Sequence, residues 1–160
     1  MPQSHALPIE NVQDYPRPPA LETVPQRITV ILNGRTIVDT FSALRVLETH
    51  HAPTYYIPPD DIAGQLTPVE GSSYCEWKGT ARYFNVIVDN HVEERAAWSY
   101  ANPSTPFERL AGYVAFYANK MDLCTVGAQV VRPQPGDFYG GWQTNNLTGI
   151  VKGGPGTRHW

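Results

Sequence analysis

Between residues 80 and 88 the side chains alternate. Ala81, Tyr83, Asn85 and Ile87 fall on one face of an extended chain, and Thr80, Arg82, Phe84, Val86 and Val88 on the other. This period of two predicts a strand, turned at Asp89-Asn90 and returned by a partner over 93–100 that ends before Asn102-Pro103. A second hairpin is predicted earlier: residues 27–32 are apolar and β-branched, Asn33-Gly34 is a strong two-residue turn signal, and 35–39 is the returning strand. Residues 45–49 and 54–57 read as two short strands flanking His50-His51-Ala52-Pro53. Pro58-Pro59-Asp60-Asp61 then predicts a capped helical turn running on through Ile62 to Leu66. Residues 107–110 read as one further helical turn. The segment 112–117 reads as a strand from its length and aromatic content, although Leu110, Val114 and Tyr117 also fit a helical spacing. After a turn at 119–122, a last strand is expected over 123–131.

The two ends read differently. Residues 1–26 hold six prolines and no apolar periodicity, which predicts an extended arm with no regular ladder, either disordered or laid along the domain on Tyr15 and Leu21. From 132 to 160 the chain is rich in Gly and Pro. Its interleaved Phe138, Tyr139, Trp142 and Trp160 argue for a wrap that docks its rings on the domain of residues 27–131.

Composition supports the same fold class. Charged residues make up only 17%, against 15 Pro, 13 Gly and 9 Tyr, which favours short strands and turns in one mainly β domain of compact antiparallel sheets with one or two short helical turns. With 12 Lys and Arg against 15 Asp and Glu, the chain offers no basic field for nucleic acid and no polybasic segment for an anionic membrane. The start lacks the basic and apolar regions of a signal peptide, and no apolar run reaches the length of a membrane span, so a soluble, cytoplasmic protein is expected. Cys75 and Cys124 are too few for a disulfide scaffold or an all-cysteine zinc site.

Candidate chemistry concentrates just before the strand at 80–88. In Cys75-Glu76-Trp77-Lys78-Gly79 a thiol, a carboxylate, an indole and an ammonium group stand within four residues. Lys78 can lower the thiol pKa of Cys75 or hold a phosphate or carboxylate itself; the alternative is a structural Cys, a solvated Lys and a turn glycine. Trp98-Ser99-Tyr100 ends the partner strand, so its rings can lie near Lys78 and bind a planar ligand, or can simply fill core. His50 and His51, with Cys75 or Glu48, have zinc-compatible donors, but adjacent residues on an extended chain point apart, and no metal is assigned. There is no Gly-x-Ser-x-Gly elbow to support a Ser-His-Asp site. Glu48 and Glu76 are acid and base candidates if the fold brings them together. Residues 149–157 have the glycines and lysine of a phosphate-binding loop without its order, so a backbone anion cradle competes with a plain glycine-rich wrap.

Several segments together resemble a known family: Val46-Leu47-Glu48-Thr49, Tyr55-Tyr56-Ile57-Pro58, Cys75-x-Trp77-Lys78-Gly79-Thr80-Ala81-x-Tyr83, Ala97-Trp98-Ser99-Tyr100 and Gly112-Tyr113-Val114-Ala115-Phe116-Tyr117. They look like the domain-of-unknown-function family four-two-seven, which also carries a nucleotidyltransferase-like label, over about residues 27–131. Phe138-Tyr139-Gly140-Gly141-Trp142 and Lys152-Gly153-Gly154-Pro155-Gly156-Thr157 look like its longer members. The resemblance implies a compact, mostly antiparallel domain similar to the β-tent group of zinc-binding and ligand-binding domains. This chain lacks the paired Cys-x-x-Cys knuckles common there, so only the scaffold carries over. Some members of that wider group hold a planar ligand in an aromatic cage, which by analogy makes Trp77, Trp98 and Tyr100 candidates.

The reading that follows is a binding module whose cleft, lined by Trp98, Tyr100, Tyr55 and Trp77, takes a planar or nucleotide-like small molecule. Lys78 would fix its anionic group and Glu48 a hydroxyl or amine; no cofactor is specified. The alternatives are a nucleotidyltransferase-like or thiol-dependent enzyme with Cys75, Lys78 and Glu48 as catalytic groups, and a protein-interaction domain that binds a neighbour or a second copy of itself.

Overall fold

The computed structural model describes residues 7–75, 78–135 and 140–152. Of these, 51% lie in strands and 11% in helical turns, so the mainly β class read from the sequence holds. In chain order the strands are β1 (Glu10–Asn11), β2 (Ala20–Thr23), β3 (Ile28–Leu32), β4 (Arg35–Thr40), β5 (Leu44–Leu47), β6 (Thr54–Tyr56), β7 (Gln65–Cys75), β8 (Gly79–Val88), β9 (His91–Ser99), β10 (Val114–Phe116), β11 (Leu123–Val126), β12 (Gln129–Val130), β13 (Arg132–Pro133), β14 (Trp142–Gln143) and β15 (Leu147–Thr148). They form two four-stranded sheets, ordered β10-β9-β8-β7 and β12-β11-β3-β4, a three-stranded sheet β2-β5-β6, and the pairs β1-β15 and β13-β14. Among the described residues no helix is long and apolar enough to cross a membrane.

Local sequence explains the hairpins. Asn33 (φ 54°) and Gly34 (φ 73°) turn β3 into β4 with both central residues left-handed, as a two-residue connection of twisted strands requires. Ile28, Val30 and Leu32 then face the larger hydrophobic cluster. The register slips between Val30 and Ile31, and both Ile37 and Val38 are buried there, as a bulge permits.

Strand β8 keeps its predicted alternation but buries its two faces in different places. Val86 and Val88, with Phe84 packed beside them, enter the larger cluster, whereas Ala81 and Tyr83 enter a second one with Trp98, Tyr100, Phe107 and Leu110. The change of side falls at a bulge. Phe84 pairs with Ala97 and Val86 with Glu93, so three residues of β9 oppose Asn85 alone. Arg95 takes a left-handed φ of 47° there, and its N–H donates to Asn85 Oδ1 at 3.0 Å. Such an insertion bends and twists a ribbon, which lets one sheet serve two clusters.

Several sequence expectations are corrected. The helical turn expected through Leu66 is only Pro59–Asp61, because Gln65 already begins the eleven-residue β7. Pro68 is tolerated in that strand because β7 is the last of its sheet, and its register with β8 shifts between Pro68 and Ser72. The strand expected over 123–131 is split by Gly127 (φ 59°) into the antiparallel β11 and β12. The strand reading of 112–117 holds for Val114–Phe116, preceded by helical turns over Thr105–Leu110.

The arm, expected to form no ladder, supplies a strand: β2 pairs antiparallel with β5 from Ala20↔Leu47 to Thr23↔Leu44. What ties it down is charge as well as apolar contact. Arg45 donates to Glu10 through both terminal nitrogens (3.2 and 2.9 Å) and through Nε to Glu22 at 2.9 Å, and the Tyr15 hydroxyl donates to Glu10 at 2.5 Å. Val12 and Tyr15 pack with Leu47 and Val151, joining the arm to the C-terminal segment beside the parallel β1-β15 pair. Burial alone would push the Glu10 carboxyl upward, but hydrogen bonds from Arg45 and Tyr15 and the Arg45 charge hold it below its usual range. Losing one partner of a buried ion pair costs about 3–5 kcal/mol. Glu10→Ala is therefore expected to destabilise the fold by about 2 kcal/mol in urea unfolding, less than a fully buried pair because this one is only partly buried and Arg45 keeps Glu22. A change within error would mean that the Glu10–Arg45 pair adds nothing to the fold.

Candidate functional site

The second hydrophobic cluster opens into a cavity of about 640 Å³. One wall is the β10-β9-β8-β7 sheet, contributing Ser73 and Cys75 from β7, Ala81 and Tyr83 from β8, and Trp98 and Tyr100 at the end of β9. The other is the β2-β5-β6 sheet, with Val46 from β5 and Thr54 and Tyr56 from β6. On β6, β8 and β9 alternate residues supply the wall, as a pleated strand requires, whereas on β7 Tyr74 borders the cavity along with its neighbours Ser73 and Cys75. Glu48, His51 and Ala52 come from the β5–β6 connection, and Gln134, Gly140, Gly141 and Lys152 from the C-terminal segment.

The aromatic rings brace one another. Trp98 lies 4.5 Å from Tyr117 between centroids and meets Tyr56 edge-on at 6.4 Å, and Tyr56 is also 6.4 Å from Tyr100. The Tyr83 hydroxyl shares a hydrogen bond with Ser73 at 2.7 Å, and the guanidinium of Arg95 stacks on its ring at 4.0 Å. Burial, followed by neighbouring ionisable groups, pushes the Tyr56, Tyr100 and Tyr117 hydroxyls up, so all three are neutral at physiological pH. Gly140 lies so close to the Trp98 indole that a Cβ there would overlap it.

Cationic groups stand at one part of this aromatic box. Lys78 is only 8% exposed, with its ammonium 5.9 Å from the centre of the Tyr100 ring. It follows β7 at the hairpin end, where its carbonyl accepts from Ser104 N–H at 3.0 Å and Gly79 (φ 108°) redirects the chain into β8. Among the described residues the ion pairs belong to Arg27, Arg35, Arg45 and His91, and none reaches Lys78. Lys152 lines the same cavity. Burial, then the charges of Lys152, Lys78 and Arg17, lower the His51 pKa to about 4. His51 is therefore neutral at pH 7. Its Nδ1 lies 3.1 Å from Gln134 Nε2 and accepts from it, which leaves the ring proton on Nε2.

Of the residues singled out from sequence, Glu48, Cys75, Lys78, Trp98 and Tyr100 line this one cavity. Tyr55 does not: it alternates with Thr54 and Tyr56, so it points into the larger core and stacks on Trp142. Trp77 and Glu76 lie outside the described residues, as do Phe138, Tyr139, Trp160 and the loop residues 153–157. Cys124 is buried in the larger core, which pushes its thiol up to about 12. Among the described residues no three of His, Cys, Asp and Glu gather to hold a metal ion. Strand period sets Tyr56 on the face opposite Tyr55 but does not say which of the two faces the cavity, and no local pattern marks Gln134 or Tyr117 as wall residues.

A family model described as a domain of unknown function, DUF427, matches residues 20–127. The chain belongs to the DUF427 family. The matched region of this DUF427 chain holds both sheet walls together with Glu48, Cys75 and Lys78, whereas Gln134, Gly140, Gly141 and Lys152 lie beyond it. No curated protein matches the chain.

Proposed function

We propose that this DUF427 chain is a binding module for a planar, nucleotide-like anion, taken into the aromatic cavity with its negative group on Lys78. The observation that carries the reading is Lys78 itself, 8% exposed and facing an aromatic ring with no carboxylate partner among the described residues. Burying an ammonium group without a counter-charge costs several kcal/mol, and a bound anion offsets that cost. Braced rings suit a flat ligand because they offer large apolar faces with little side-chain entropy to lose. The two lysine charges that depress His51 also make this part of the cavity favourable for an anion. Of the negatively charged groups on the described wall, Glu48 suits a ligand hydroxyl or amine rather than the anion itself.

Adenosine 5′-monophosphate, at about a hundredfold excess over its Kd, is expected to raise Tm by about 5 °C or more and to slow alkylation of the cavity thiol of Cys75. Lys78→Gln, which keeps a polar side chain of similar length, is expected to weaken binding at least about tenfold by removing a charge-assisted bond. A folded Lys78→Gln protein that binds as tightly as the unaltered one would remove the basis of the proposal.

A further inference from the structure

Gln134 stands in the cavity wall with its side chain only 2% exposed. Its amide nitrogen is engaged twice, donating to His51 Nδ1 at 3.1 Å and to the main-chain oxygen of Lys152 at 2.9 Å. The Lys152 carbonyl decides which end of the amide is nitrogen, because the reverse orientation would set two acceptors against each other. Oε1 is thereby left buried, and among the described residues no donor reaches it. Gly141 does not relieve it: its Cα packs so close that a Cβ would overlap Oε1. A buried acceptor without a donor has lost its bond to water and gained nothing, and native proteins rarely leave one so.

We infer that the ligand of this cavity carries an N–H or O–H donor on its planar part and gives it to Gln134 Oε1. This rests on the anion-binding reading above and narrows it. The cavity then selects three features together: a flat ring for the aromatic walls, a negative group for Lys78, and a ring donor for Gln134. The exocyclic amine of adenine has that chemistry, and an unsubstituted purine does not. Specificity of this kind is strong because the analogue lacking the donor leaves the acceptor unpaired while still filling the site.

The test compares two ligands on the unaltered protein, so it does not depend on a variant folding. Adenosine 5′-monophosphate and purine riboside 5′-monophosphate differ only by the amine, and calorimetric titration of both is expected to show about a tenfold preference for the first. In Gln134→Met, which removes the acceptor, the two affinities are expected to converge. Equal binding of both by the unaltered protein overturns this inference and leaves the anion site standing. Failure of both to bind at millimolar concentration overturns the anion site and the inference with it.

Discussion

Trp142→Ala is expected to destabilise the fold by about 3–5 kcal/mol, the range for removing a large aromatic ring from a packed core. Trp142 is 1% exposed, stacks on Tyr55 with centroids 5.2 Å apart, and donates from Nε1 to the Phe116 carbonyl at 2.9 Å. Its main-chain N–H, which the substitution retains, donates separately to the Pro53 carbonyl at 2.8 Å. One side chain thus pins the C-terminal segment to β6 and β10, and losing it leaves a cavity at their junction. For a chain of this size the loss corresponds to a Tm lower by about 10 °C. Trp142→Phe keeps the ring contact but not the hydrogen bond, and is expected to cost about 1–2 kcal/mol. If Trp142→Ala unfolds within about 1 kcal/mol of the unaltered protein, the C-terminal segment is not part of the cooperative core.

The second large effect is on pH dependence. The His51 pKa is lowered to about 4 by burial and by the Lys152, Lys78 and Arg17 charges, against an ordinary value of 6.5. The unfolded chain therefore takes up a proton at a higher pH than the folded one does. Stability is complete above about pH 6.5, falls as pH drops from there to about 4, and levels off below the folded pKa, for a total loss of about 3 kcal/mol. Glu10 adds a second loss at more acid pH, since its folded carboxyl is held below the usual range and its stabilisation disappears as it protonates. Urea unfolding at intervals from pH 7.5 to 4 isolates the histidine. His51→Gln, whose amide oxygen can still accept from Gln134, is expected to flatten the slope above pH 4.5. An unchanged slope would place the acid sensitivity elsewhere. A bound anion beside the two lysines weakens their repulsion of a charged His51 and so raises its folded pKa toward 6.5, and is therefore expected to shrink this loss and make it level off at a higher pH.

What could be read along the chain was whatever depends on neighbours in sequence. Asn33-Gly34 specifies a left-handed turn, and the alternation from Thr80 to Val88 specifies two faces, because φ preference and pleat are properties of a few adjacent residues. Cys75 and Lys78 were legible as a pair for the same reason, and Trp98 and Tyr100 joined them once the hairpin partner of β8 was recognised. Only the ladder of the arm was missed, since Tyr15 and Leu21 do pack on the domain: strand β2 is stabilised not by its own pattern but by pairing with β5 and by Arg45, more than twenty residues away. Tyr55 was misassigned because a side chain's face depends on which side of β6 the larger core occupies. By itself the sequence determined a mainly β chain, its hairpins, and the concentration of a thiol, an ammonium group and aromatic rings at one hairpin end. The tertiary structure alone decided that two sheets face each other across a cavity, that the bulge at Arg95 divides β8 and β9 between two clusters, and that Gln134, Gly140 and Lys152 complete the wall. Those facts rest on contacts between segments distant in sequence, whose free energy comes from burial and pairing that no local window contains.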